Sequence, residues 1–183
     1  VTHDQVRLRR LSFTNAPPWL VAFAIIALDR ATKMAVRESI EAGAWVPLLP
    51  GLALTHVYNT GIAFSLFSGG GWMTRMALHS VIFAAVVLIA WMLVRHSRQD
   101  PVAGLAFGFI LGGAIGNLID RVLWGSVVDF VHLWIRVSDR VWSWPDFNVA
   151  DSSICVGAAL LVLYELRNRR RRPAESRSAS NPD

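Results

Sequence analysis

The sequence is short of charge. Of its 183 residues 17% are charged and 54% hydrophobic, where a soluble domain has about 25% and about 45–50%. Thirteen acidic and 18 basic residues are too few to coat a soluble surface. That argues against a soluble enzyme. The hydrophobic content argues equally against intrinsic disorder. Cysteine is nearly absent: Cys155 stands alone in an apolar stretch, which excludes an internal disulfide and a cysteine-based metal site. There is no HExxH, no serine–histidine motif and no glycine-rich phosphate loop. The histidines at 3, 56, 79, 96 and 132 lack metal-ligand spacing, and His79 reads as a buried hydrogen-bonding residue.

What is present is a set of four apolar segments. The first has an uncharged run, Trp19–Leu28, and continues as helix through Asp29 and Lys33 to about Val36, with Pro17 and Pro18 suited to its first turn. The others run from about Trp72 to Val94, from Pro101 to Ile119, and from about Phe147 to Leu166. Each is long enough to span a bilayer, which takes about 17–25 residues. No small-residue cleavage site follows the first, so it does not read as a cleaved signal peptide. The net charge of +5 could suggest nucleic acid, but its location points elsewhere. Arg7, Arg9 and Arg10 precede segment one, Arg95 and Arg98 join segments two and three, and six arginines from Arg167 to Arg177 follow segment four. These 11 of 18 basic residues fall on one side of a four-span chain, the cytoplasmic side by the positive-inside rule. Both termini are therefore expected in the cytoplasm.

The two connections left outside are not simple loops. About 37–71 contains two strand-like pieces, Trp45–Leu49 and Leu52–Tyr58, then an apolar piece, Gly61–Phe67, too short to span. About 122–146 is rich in aromatics. Six of the eight tryptophans (45, 72, 124, 134, 142 and 144) fall on this outer side, either as an interfacial belt or as a shelf that handles an amphipathic substrate. The expected architecture is an all-α membrane protein: four transmembrane helices, a small interfacial β-rich segment and outer loops. The expected division is an N-terminal cytoplasmic segment 1–16, a transmembrane domain 17–166, and a basic, disordered tail 167–183. Gly104, Gly108, Gly112 and Gly116, four apart, form a stripe that lets helix backbones approach closely.

Ionisable residues in spanning segments are costly and usually functional. Here they gather at the outer helix ends. Asn117, Asp120 and Arg121 share a helix face by their i, i+3, i+4 spacing. Asn148 and Asp151 open segment four, Asn148 as a plausible N-cap and Asp151 in a first turn that favours negative charge. Asp29 and Lys33 make an i, i+4 pair, read as an interfacial ion pair. Asp120 and Arg121 read as a local pair. Asp129, flanked by apolar residues, has no partner in its near sequence. Acid–base chemistry by paired aspartates, proton or ion transport, and an assembly role without chemistry all remain open. A transporter would want its acidic groups near mid-membrane, so clustering at one interface favours chemistry there.

Several blocks carry a resemblance. Asn59-Thr-Gly-Ile-Ala-Phe-Ser, Gly112-Gly-Ala-Ile-Gly-Asn-Leu-Ile-Asp-Arg121, Val127-Val-Asp-Phe130 and Phe147-Asn-Val-Ala-Asp151 resemble, in order, the signature blocks of lipoprotein signal peptidase (signal peptidase II). Asp29-Arg-Ala-Thr-Lys33 resembles the first-helix motif of that family. The likeness spans about residues 17–166. Ile62 departs from the alanine common in the family, and the arginine-rich tail lies outside the likeness.

The resemblance implies a four-helix aspartic endopeptidase of the bacterial inner membrane, with its active site at the outer face. It would remove the signal peptide from diacylglyceryl-modified prolipoproteins, cutting before the lipidated cysteine. By position, Asp129 and Asp151 become the catalytic pair, supported by Asn59, Gly61, Asn117, Asp120, Arg121, Asn148 and Asp29. Two close carboxylates in a desolvated site share a proton, which suits hydrolysis without metal or cofactor. The implied partners are the prolipoprotein, membrane lipid and globomycin-type inhibitors, and no nucleic acid.

Overall fold

The computed structural model describes residues 17–61, 71–97 and 100–171. Helix α1 (Pro18–Ser39) leads into strands β1 (Trp45–Leu49) and β2 (Leu52–Asn59). Helices α2 (Trp72–His96) and α3 (Pro101–Trp124) follow, then strands β3 (Val127–Val137) and β4 (Arg140–Ser143), then helix α4 (Val149–Arg171). The strands form one antiparallel sheet in the order β1-β2-β3-β4. The C-terminal ends of α1 and α3 and the N-terminal ends of α2 and α4 all lie at the sheet end of the molecule.

Helix α3 is the centre, packing against α1, α2 and α4. Its start is fixed by Asp100, whose carboxylate accepts from the backbone N–H groups of Val102 and Ala103. Its end is fixed by Gly125, left-handed at φ 71°, a conformation glycine takes without steric penalty. That turn sends the chain into β3. The glycine stripe faces α1. A Cβ at Gly112 would lie 2.8 Å from the Ala22 carbonyl oxygen, and one at Gly116 would lie 2.7 Å from Asp29 Oδ2.

The helices are turned inside out relative to a soluble bundle. In α1 the buried positions are Ala22, Ile25, Asp29, Lys33 and Val36, while Leu20, Phe23, Leu28 and Met34 are exposed. Along α2, Met73, Met76, Phe83, Leu88 and Trp91 are exposed. So much exposed apolar surface marks contact with lipid. Among the described residues, three helices are long and apolar enough to cross a membrane: α2, α3 and Val149–Asn168 of α4.

The structure narrows the sequence reading in several places. The label all-α is too narrow, because the second outer connection is not an aromatic loop but holds β3 and β4. The last helix runs on to Arg171, past Leu166. The tryptophans at 45, 72, 124, 134, 142 and 144 do gather at the sheet end. The N-terminal segment 1–16, the apolar piece from Ile62 to Phe67 and the tail from Arg172 fall outside the described residues.

The close approach of α1 and α3 makes one substitution informative. Gly112→Ala is expected to lower stability by about 1–3 kcal/mol, because its methyl meets α1 backbone. Gly71→Ala, whose methyl meets open space, is expected to be near neutral. Thermal unfolding in detergent measures both.

Candidate active site

The polar residues that the sequence scatters over five elements meet at the sheet end of the helices. Buried Lys33 on α1 is the joint. Its Nζ lies 2.8 Å from Asp29 Oδ2, 2.8 Å from Asp120 Oδ2, and donates to Asn117 Oδ1 at 2.9 Å. Asp29 Oδ1 accepts from the Ala150 backbone N–H of α4 at 2.9 Å. Arg30 also pairs with Asp120 and stacks over the Trp124 ring, as does Arg37. Two sequence expectations change here. Asp29 and Lys33 do pair, but as a fully buried pair between helices that Asp120 joins. Asp120 pairs across to α1 and not with Arg121. The Arg121 guanidinium donates instead to the carbonyls of Asn117 and Gly61.

Around this joint three asparagines hold two carboxylates. Asn117 receives Lys33 on its oxygen, so its amide N–H₂ faces outward and donates to Asp151 Oδ1 at 2.8 Å. Asn59, at the end of β2, receives the Gly61 N–H on its oxygen and donates to Asp129 Oδ2 at 3.0 Å. Asn148 caps α4 as expected. Its oxygen accepts from the Asp151 N–H at 3.0 Å, and Asp151 Oδ2 accepts from the Asn148 N–H at 3.2 Å. This reciprocal capping box fixes Asp151 on the first turn. The Asn148 amide donates to Asp129 Oδ1 at 2.7 Å, with longer contacts to Asn117 Oδ1 and Val128 O. Asn148 therefore ties the strand carboxylate to the helix carboxylate.

Asp129, Asp151, Asn59, Asn117 and Arg121 line one cavity of about 860 Å³. Its other walls include Val57, Tyr58, Leu133, Trp144 and Ile154, so a few polar groups sit in an apolar cleft. Burial pushes the Asp129 carboxyl up to about 6, with the neighbouring Asp151 charge acting in the same direction and the Asn59 and Asn148 amides opposing it. All seven supporting residues expected from sequence are in this assembly. Asp129, Asp151, Asn59, Asn117 and Arg121 border the cleft; Gly61 and Asn148 hold them; Asp29 and Asp120 stand behind it, around Lys33. Sequence reasoning passed over Arg30, and also Asp146, a third cleft carboxylate bonded to Thr55 and His132.

The raised Asp129 value has a sign that stability can test. The folded chain holds this proton more tightly than the unfolded chain does, whose ordinary value is 3.8. The resulting stabilisation is complete below about pH 4 and is lost as pH rises through about 6. Asp129→Asn removes that dependence. Its unfolding free energy relative to wild type is expected to move in the variant's favour by roughly 3 kcal/mol between about pH 4 and pH 7. A difference that stays constant with pH, in denaturation series in detergent, contradicts the burial of this carboxyl.

Comparison with known proteins identifies the family. The sequence profile of the signal peptidase II family matches residues 21–167. A lipoprotein signal peptidase of Paraburkholderia phymatum is 45% identical over 155 residues, covering 84% of this chain and 90% of its own. One of Burkholderia mallei is 42% identical over the same shares. A solved structure described as a bacterial membrane enzyme, determined in meso at 2.3 Å, superposes with a TM-score of 0.70 at 28% identity, over 86% of this chain and 92% of its own. A profile match over most of the chain and relatives this close lead to one conclusion: the chain belongs to the signal peptidase II family.

Proposed function

We propose that this protein is an aspartic endopeptidase that removes the signal peptide from diacylglyceryl-modified prolipoproteins, cutting before the lipidated cysteine, with Asp129 and Asp151 as its catalytic pair. The observation that carries this reading is the shared cleft. Two carboxylates from different elements border it, each accepts hydrogen bonds from two groups, and Asn148 joins them.

The chemistry follows from that arrangement. The ionised carboxylate of the pair takes a proton from a water molecule as the water oxygen attacks the scissile carbonyl. The protonated carboxyl of the pair donates to the developing oxyanion, and the burial that pushes Asp129 up to about 6 favours Asp129 for that role. When the tetrahedral intermediate collapses, the carbon–nitrogen bond breaks and the cysteine amine leaves with a proton from the pair. Asn59, Asn117 and Asn148 keep both carboxylates in place through these steps, because each amide's orientation is set by its other partner. By this route hydrolysis needs no metal.

In this reading α1 is the fourth span. Its 22 residues reach about 33 Å at 1.5 Å per residue, and its charged groups face α3 and α4. The protein then sits in the bacterial inner membrane with the sheet at the outer face. Arg95 and Arg167, at helix ends away from the sheet, support cytoplasmic termini. The domain runs from about residue 17 to the end of α4. The tryptophan-bearing sheet gives the substrate an amphipathic surface at the headgroup level. Acyl chains on the substrate add binding energy, about 0.8 kcal/mol per buried CH₂. Globomycin-type inhibitors would occupy the same cleft.

Purified protein in detergent, given lipidated prolipoprotein and followed by gel shift, tests the reading. The wild type is expected to cleave it and to leave the unlipidated form largely intact. Asp129→Asn and Asp151→Asn are each expected to lower the rate by roughly 10³-fold or more, and the double variant by no more than either alone. Near-normal cleavage by a folded Asp129→Asn sample would remove the assignment of the pair.

A further inference from the structure

We propose that Thr55, His132 and Asp146 form a clamp that sets the spacing of Asp129 and Asp151, with His132 and Asp146 as positioning residues for the hydrolysis; this rests on the reading of the pair as catalytic. Asp146 Oδ2 accepts from Thr55 Oγ1 at 3.0 Å, and Asp146 Oδ1 pairs with His132 Nδ1. Both carboxylate oxygens are thus engaged, one by each of two neighbouring strands.

The three members come one from each chain segment that carries the site. Thr55 lies on β2, four residues before Asn59. His132 lies on β3, three residues after Asp129. Asp146 lies two residues before Asn148 and five before Asp151. The segment from Trp144 to Phe147 runs beside β3. The Trp144 N–H donates to Leu133 O at 2.8 Å, and Phe147 and Val131 exchange bonds of 3.1 and 2.8 Å. Pro145, between them, has no N–H to offer. The Asp146 side chain supplies the lateral tie at that point. Trp134 packs on the imidazole at 5.7 Å between ring centroids and Trp45 meets it edge-on at 6.4 Å, which fixes the ring plane.

Stability alone is a weak reason for this arrangement. A part-exposed carboxylate–imidazole contact contributes little, and an apolar contact would hold the strands as well. What charged and hydroxyl groups add is direction: two hydrogen bonds from two strands locate Asp146, and through it the capping box that presents Asp151 to Asp129. A reacting group misplaced by about 1 Å loses on the order of 10²-fold in rate.

The test uses the full chain in detergent, lipidated prolipoprotein as substrate, and kcat, KM and thermal unfolding measured together. His132→Ala and Asp146→Asn are expected to lose about 10- to 100-fold in kcat with KM kept. His132→Gln, whose amide can still donate to Asp146, is expected to recover most of the loss, and Thr55→Val to lose less than His132→Ala. Wild-type kcat in folded His132→Ala overturns the clamp, as does a glutamine variant no better than alanine. A loss confined to KM also overturns it, by showing that Asp146 touches substrate. If His132→Ala does not fold, Thr55→Val decides, and unchanged kcat there overturns the clamp. A wild type that leaves the substrate intact removes the proposed function and the clamp with it. A wild type that cleaves, beside an inert Asp129→Asn and a fully active Asp146→Asn, removes the clamp alone.

Discussion

A buried ammonium held between two carboxylates and an amide oxygen organises this molecule. Taking Lys33 out of water is expensive, several kcal/mol per ion even after relaxation. Asp29 and Asp120 offset that cost as ion-pair partners at 2.8 Å, and Asn117 accepts one of its N–H groups. Arg30 supplies the second positive charge, so the cluster of two acids and two bases is neutral. The same contacts join α1 to α3, and Asp29 reaches on to the Ala150 N–H of α4. Gly116 leaves room for the Asp29 carboxylate. Helix packing and site geometry therefore share one joint.

From that joint the ordering passes outward through amides. Lys33 offers only N–H groups, so it must meet the oxygen of Asn117, and the amide nitrogen is left for Asp151. Gly61 N–H does the same for Asn59, and Asp151 N–H for Asn148. Among the described residues, neutral amides hold the pair and no cation is in direct hydrogen-bonded contact with it. That choice is chemically useful. A bonded cation would stabilise both charges, whereas amides in an apolar cleft leave Asp129 pushed up to about 6, poised to hold a proton near neutral pH.

Much of this was legible in the sequence, for reasons particular residues show. The apolar runs gave the helices, the fourfold spacing of glycines gave a close helix–helix approach though not its partner α1, and Asn148 with Asp151 at i, i+3 gave the capped start of α4. The Asp120 partner was not legible. Adjacent residues on a helix point in different directions, so Asp120 meets α1 while Arg121 turns toward Gly61. Asp29 and Lys33 looked interfacial because they are charged; the structure turns them inward and puts α1's apolar residues outside. Strand β3 was hidden by its composition. Valines and isoleucine favour strands, but its first four residues are all buried, so no alternation marks it. The Thr55–Asp146–His132 contact joins residues up to 91 apart, and no local pattern announces it.

The claim that fold and site share the Lys33 joint is tested most directly by Lys33→Met, which keeps the chain length and removes the charge. Thermal unfolding in detergent, with cleavage of lipidated prolipoprotein measured on the same sample, is the measurement. Two buried carboxylates would lose their common partner and Asn117 its anchor. The expected result is a loss of about 3–5 kcal/mol of stability, with cleavage lost even at temperatures where the variant remains folded. A variant that unfolds at the wild-type temperature and cleaves at the wild-type rate would contradict the account.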